Sequence, residues 1–243
     1  MLKLSDSRNF SRTLAGIGLI AGPALFVIST ILSPAWEDDT AEYLAEVADD
    51  KGLYLVSSLL FTIGGMFLIA GALGIIKLMR RGRKVTLGQV AGFLLVLGAT
   101  ATTAFYVISA FDIEMVDEAA NRAEMVALSE RAEESTAALI FFIPYFFLGF
   151  VLGMILLGIA VIRSKVVPVW AGIVLLVAVV VLFVSGEGQA MSVVGNALVM
   201  VGLVPLGLKI LSLSDDQWER WQPIDDEPAP APAAAPAPPT QAV

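Results

Sequence analysis

The chain has 243 residues, of which 57% are hydrophobic and 16% charged, with a formal net charge of −8 and a mean hydropathy of +0.82. Water-soluble domains are about half apolar and a quarter charged, so this is the composition of a membrane protein, and its acidic balance excludes a nucleic-acid partner. It contains no Cys and no His, which removes disulfides, thiol catalysis, His-ligated metals and His-activated nucleophiles.

Crossing the hydrocarbon of a bilayer as a helix takes roughly 18 or more residues free of charge. Six stretches meet that condition: 13–33, 53–76, 86–111, 136–162, 166–185 and 191–208. The predicted fold class is therefore all-α, a polytopic membrane bundle of six transmembrane helices. Residues 1–12 form a cytoplasmic N-terminus, and the first span carries Gly18 and Gly22 one turn apart, then Pro23. An external acidic loop follows at 34–52. The second span opens with Tyr54, Ser57, Ser58 and Thr62 and ends on the basic run "KLMRRGRK" (77–84). Gly88 and Gly92 begin the third span, and Tyr106 and Ser109 lie near its end.

The second external loop, 112–135, is also acidic; with 34–52 it holds 15 of the 23 Asp and Glu residues. Each loop is expected to form a short surface helix. In the second, Val116, Ala120, Ala123 and Ala127 recur at helical spacing. The fourth span contains Tyr145 in "FFIPYFFLGF" (141–150), then Gly149 and Gly153. The fifth and sixth are joined only by "GEGQA". After residue 213 the composition turns to Pro and Ala, so 214–243 is predicted to be a disordered cytoplasmic tail, with Trp218 and Trp221 anchoring at the inner interface.

Basic residues are held on the cytoplasmic side during insertion. With the N-terminus inside, all Lys and Arg residues but Lys51, Arg122 and Arg131 fall in the cytoplasm. Both termini are thus expected there, in a bacterial inner membrane. A weak internal repeat runs through the spans: Gly18 and Ser29 fall on Gly98 and Ser109 at a shift of 80, and Gly65 and Gly74 on Gly149 and Gly158 at a shift of 84. It predicts three tandem helical hairpins in parallel orientation. Close helix contacts in lipid use small residues, so Gly18, Gly22, Gly88, Gly92, Gly149 and Gly153 are nominated as packing positions.

No span contains Asp, Glu, Lys, Arg or His, which argues against ion-coupled transport, and no phosphate-binding glycine motif is present. No cofactor, metal ligand or catalytic residue is nominated. The candidate cavity lining is Tyr54, Ser57, Ser58, Thr62, Tyr106, Ser109 and Tyr145. The expected function is non-enzymatic: association with membrane lipid, with a second copy or with another membrane protein. The alternative is a small transporter or channel for a neutral or lipophilic solute.

The stretches "SPAWEDDTAEYLAEVADDKGLYLVSSLLF" and "GALGIIKLMRRGR", with the Ala-rich, Cys-free composition, resemble uncharacterised multi-pass membrane proteins of actinobacteria and related bacteria. The resemblance covers roughly residues 14 to 210 and rests on general features. It implies a location and a fold, and carries no functional residue across.

Overall fold

The computed structural model describes residues 6–34, 39–79, 85–117, 121–133, 135–136, 140, 143–184 and 188–220; the side chains of 85, 102–107, 133, 143–144, 184 and 220 are outside that set. Among the described residues every regular element is helical: α1 (Ser7–Leu32), α2 (Thr40–Asp49), α3 (Lys51–Leu78), α4 (Val85–Met115), α5 (Arg122–Glu133), α6 (π-wound over Ile143–Leu152, then α-helical over Gly153–Ser164), α7 (Val169–Val184), α8 (Gln189–Ser212) and α9 (Asp215–Arg220).

Side-chain carboxylates start three of these helices. Asp6 accepts from the Arg8 and Asn9 amides, Asp39 from Ala41 and Glu42, and Asp50 from Leu53, so each satisfies amides that the first helical turn leaves unpaired. Two members of the acidic segment 34–52 are thereby structural caps. α6 stops at Lys165, whose left-handed backbone (φ 53°) lets its amide bond back to the Val161 carbonyl. α1 and α8 continue as single helices through Pro23 and Pro205.

The six long helices form a closed ring in the order α1, α3, α4, α6, α7, α8, with α8 returning to α1. Neighbours run antiparallel throughout. Gly18 faces Gly71 while Ser29 faces Ser57; Gly92 faces Ile76 while Ser109 faces Ser58; Gly98 faces Gly149 and Gly158 faces Gly172. Gly202 meets Leu175 and Gly207 meets Gly16, closing the ring. One end of the bundle, the loop end, carries α2 and α5; the other, the termini end, gathers residues 7–12 and α9.

Glycines set the ring's diameter, because lipid offers helices little hydrophobic reason to associate and close backbone contact must supply the attraction. A methyl group added at Gly149 would come within 2.6 Å of the Gly98 Cα, and one at Gly22 within 2.9 Å of the Gly64 carbonyl oxygen. Gly88 sits against Met79, Gly92 against the Ala72 carbonyl and Ile76, and Gly153 against Leu94 and Leu95. All six nominated glycines therefore lie at contacts within this chain. Between them Leu19, Leu68, Ala72, Leu95, Leu157, Leu175 and Leu203 are completely buried, while Met66, Phe93, Val180 and Leu208 point outward and are more than half exposed. An apolar core inside an apolar exterior is how a bundle meets lipid.

Among the described residues four helices are long and apolar enough to cross a membrane: Ser7–Leu32, Lys51–Leu78, Tyr145–Ser164 and Gln189–Ser212. Thr86–Ala101 and Val169–Phe183 are shorter apolar stretches. This is a membrane protein.

Several predicted boundaries change. The third helix does not stop at 111 but runs to Met115, so Asp112 belongs to α4 and is buried, not part of an external loop. The predicted loops 34–52 and 112–135 contain α2 and α5, the short helices expected of them. Within the predicted fourth span, 136–162, the described chain is π-wound before it becomes α-helical. At the other end, 214–220 is not tail. α9 docks on α1: Trp218 is 2% exposed, its indole N–H donates to Ser11 Oγ at 3.0 Å, and the Lys77 ammonium lies 4.4 Å from its ring centroid. Arg12 donates to Asp215 at 2.9 Å and to the Leu211 and Leu213 carbonyls at 2.7 Å each. Trp218 is thus buried in protein and is not an interface anchor. The basic residues 80–84, Trp221 and the Pro/Ala tract lie outside the described residues.

Candidate ligand cavity

At the loop end the ring carries two adjoining, half-open cavities. The outer one, ≈ 190 Å³, is walled by Ser29, Thr30, Ser57, Ser58, Tyr43 and Tyr54 among others. The inner one, ≈ 440 Å³, is lined mainly by Phe26, Phe61, Phe146, Phe150, Leu182 and Phe183, a volume within the roughly 300–1,000 Å³ of small-molecule sites. Thr30, Phe61 and Ser192 border both. Every helix of the ring contributes to the inner wall, α4 through Gly98 and Ala101 and α8 through Ser192 and Asn196. The small residues that let helices approach elsewhere leave room here, and aromatic rings line it: Phe26 stacks on Phe61 at 4.6 Å and Phe146 on Phe150 at 6.2 Å.

Polar side chains in this wall are bonded across helices. Ser29 and Ser57 form a reciprocal pair, Ser29 Oγ donating to the Ser57 carbonyl at 2.8 Å and Ser57 Oγ to the Ser29 carbonyl at 3.1 Å. Ser58 Oγ lies 2.7 Å from Ser109 Oγ, joining α3 to α4. Asn196 donates to Thr30 Oγ1 at 3.0 Å, and Gln189 to the Ser33 carbonyl at 2.7 Å, joining α8 to the end of α1. In an apolar surrounding each such bond answers a desolvation cost that an unpaired group would carry in full.

Behind the outer wall is a buried carboxylate. Asp112 on α4 is 6% exposed and accepts from the Tyr54 hydroxyl at 2.6 Å; the Tyr43 hydroxyl lies 2.8 Å from that of Tyr54 and 3.5 Å from Asp112. Tyr43 comes from α2, held by Leu44 and Val47 packing with Tyr54 and Val116 and by Arg122 donating to the Leu44 carbonyl. Burial pushes the Tyr43 phenol above its ordinary range, and neighbouring Tyr54 and Asp112 push it further.

Of the residues nominated from sequence, Tyr54, Ser57, Ser58 and Ser109 converge on the outer cavity. Thr62 is buried on α3 and borders neither cavity, and Tyr145 is half-buried in the π-wound turn of α6, also away from both. The Tyr106 side chain lies outside the described residues. Sequence reading missed Tyr43, Phe61, Gln189, Ser192 and Asp112. Asp112 had a signal: it stands one helical turn from Ser109, on the same face.

No curated protein and no solved structure matches the chain. A family model, "Domain of unknown function (DUF4386)", matches residues 14–214. That range takes in the helical ring from residue 14 of α1 onward and stops ahead of α9, so the chain belongs to the DUF4386 family.

Proposed function

We propose that this is a multi-pass protein of the bacterial inner membrane, six-spanning with both termini in the cytoplasm, that binds a lipid-like amphiphile between its helices without catalysis. The ring order supports three tandem hairpins, α1 with α3, α4 with α6 and α7 with α8, closing on themselves. One observation carries the functional reading: an aromatic chamber bounded by all six helices of the ring joins a polar mouth at one end. An amphiphile has that shape, an apolar chain for the chamber and a polar head for the mouth. Because the glycine faces are occupied by contacts inside the chain, lipid is favoured over a second copy as the partner. The alternative, passage of a neutral or lipophilic solute, needs an exit at the termini end, where Leu78, Val161, Leu206 and Ile210 are buried almost completely.

Native mass spectrometry of the full chain released from mild detergent tests the reading. A retained lipid-like adduct is expected, and it should be lost in Ser192→Trp, which fills the junction of the two cavities. A bare protein whose melting temperature ignores added membrane lipid would overturn the proposal.

A further inference from the structure

We propose that the polar mouth takes a protonated amine, so that the ligand is a long-chain amine or a lipid with an ammonium head. This rests on the amphiphile reading and adds the head group to it. A carboxylate has none to give, so the Tyr54 hydroxyl, 2.6 Å from Asp112 Oδ2, is the donor in that bond. With the only Tyr54 proton spent, the Tyr43 hydroxyl must donate in its own bond to Tyr54 at 2.8 Å. Ser29 and Ser57 give their protons to each other's carbonyls, and Thr30 gives its proton to the Phe26 carbonyl at 2.8 Å. Gln189 spends its amide protons on the Thr30 and Ser33 carbonyls, at 3.2 and 2.7 Å.

Toward the cavity these groups can therefore only accept. Ser58 and Ser109, in the same wall, are bonded to each other at 2.7 Å, while Ser33 and Ser192 have hydroxyl protons to offer. Among the described residues no Lys or Arg lines the wall, and Asp112, a single hydrogen bond behind the tyrosines, is negative. A phosphate or carboxylate head would bring acceptors to acceptors and negative charge toward a buried carboxylate. A hydroxyl head would match in part. An ammonium brings three donors and the complementary charge, and the rings of Tyr43, Tyr54 and Phe61 in the same wall add cation–π attraction.

The test is binding of dodecylamine, dodecanol and dodecyl phosphate, each radiolabelled in turn and each also used unlabelled as competitor, to the full chain in nanodiscs, with empty nanodiscs subtracted. Dodecylamine is expected to compete at a concentration at least about tenfold below dodecyl phosphate, the worth of one charge-assisted hydrogen bond. Asp112→Asn keeps size and an acceptor but removes the charge, and should cut the preference for amine over phosphate by about tenfold while dodecanol changes little. Tyr54→Phe keeps the ring but removes the hydroxyl that joins Asp112 to Tyr43, and should weaken amine binding; it decides the matter if Asp112→Asn does not fold. Equal competition by amine and phosphate, or a preference unchanged in the folded variants, overturns the head-group assignment alone. If none of the three compounds binds saturably above empty nanodiscs, the amphiphile reading falls and the head group with it.

Discussion

At Gly149 and Gly98, α4 and α6 meet backbone on backbone. Replacing Gly149 by Leu puts a branched side chain where a single methyl already falls within 2.6 Å of the Gly98 Cα. Overpacking of this kind costs about 1–3 kcal/mol, and backbone on both sides leaves no flexible side chain to yield. A clear drop in melting temperature in detergent is expected. Val180→Leu, on a surface position that is 60% exposed, should melt with the wild type. Gly149→Leu melting alongside it would place that face of α6 toward lipid. The second residue-scale prediction concerns Tyr43, whose phenol burial holds protonated. Above about pH 10 the unfolded chain loses this proton while the folded chain keeps it, so stability falls with rising pH and gains nothing from the group below that range. Melting temperature followed from about pH 9 to 11 should decline, and less steeply in Tyr43→Phe; equal slopes would show that the phenol titrates as in the unfolded chain.

At the scale of elements, α9 is a six-residue helix far too short to be stable alone, so its structure comes from what it touches. Trp218 fills a site between α1 and α3, and Arg12 ties the α8–α9 turn to α1 through three bonds. The side-chain exposure of Arg12 is 14% against 30% for Asp215, so this pair is sheltered in a way the exposed Arg8 pairs with Asp216 and Glu219 are not. Truncation after Gln222 is expected to leave the melting temperature nearly unchanged. Truncation after Leu213, or Trp218→Ala, should lower it, the latter change costing about 3 kcal/mol of stability as for a buried large-to-small change. If both truncations melt alike, α9 contributes nothing to the bundle. α2 is a comparable case at the loop end: Leu44 and Val47 are its buried side, and docking that side brings Tyr43 to the mouth.

For the whole molecule, the alternation of helix direction around the ring fixes which turns share a side. Asn121 lies at the loop end and Lys165 at the termini end. Reporter fusions at these positions should report opposite faces of the membrane, Lys165 on the cytoplasmic one, because basic residues concentrate at that end. The same face for both would break the alternating order. A closed ring also explains why the cavity sits where it does. Large leucines fill the centre toward the termini end, whereas at the loop end the facing positions are Gly98, Ala101, Ser192 and aromatic rings that stand around the axis.

The sequence alone determined that the chain is helical and belongs in a membrane, because long charge-free runs have only one way to satisfy their backbone in lipid. It also located the packing glycines and the serines of α3, since small residues and hydroxyls stand out against an apolar background. Tertiary structure decided what lies next to what. Asp112 reads as one more acid in an acidic stretch until α4 is seen to continue past it, and Tyr43 reads as a loop residue until α2 docks. Gln189 and Ser192 come from the far end of the chain, and only ring closure between α8 and α1 carries them to Ser29 and Thr30. Thr62 and Tyr145 have the same composition signal as the true lining and face elsewhere, because residue type gives polarity but not the rotation of a helix about its axis. That rotation is set by which glycines meet across the ring, a pairwise property that no single stretch of sequence contains.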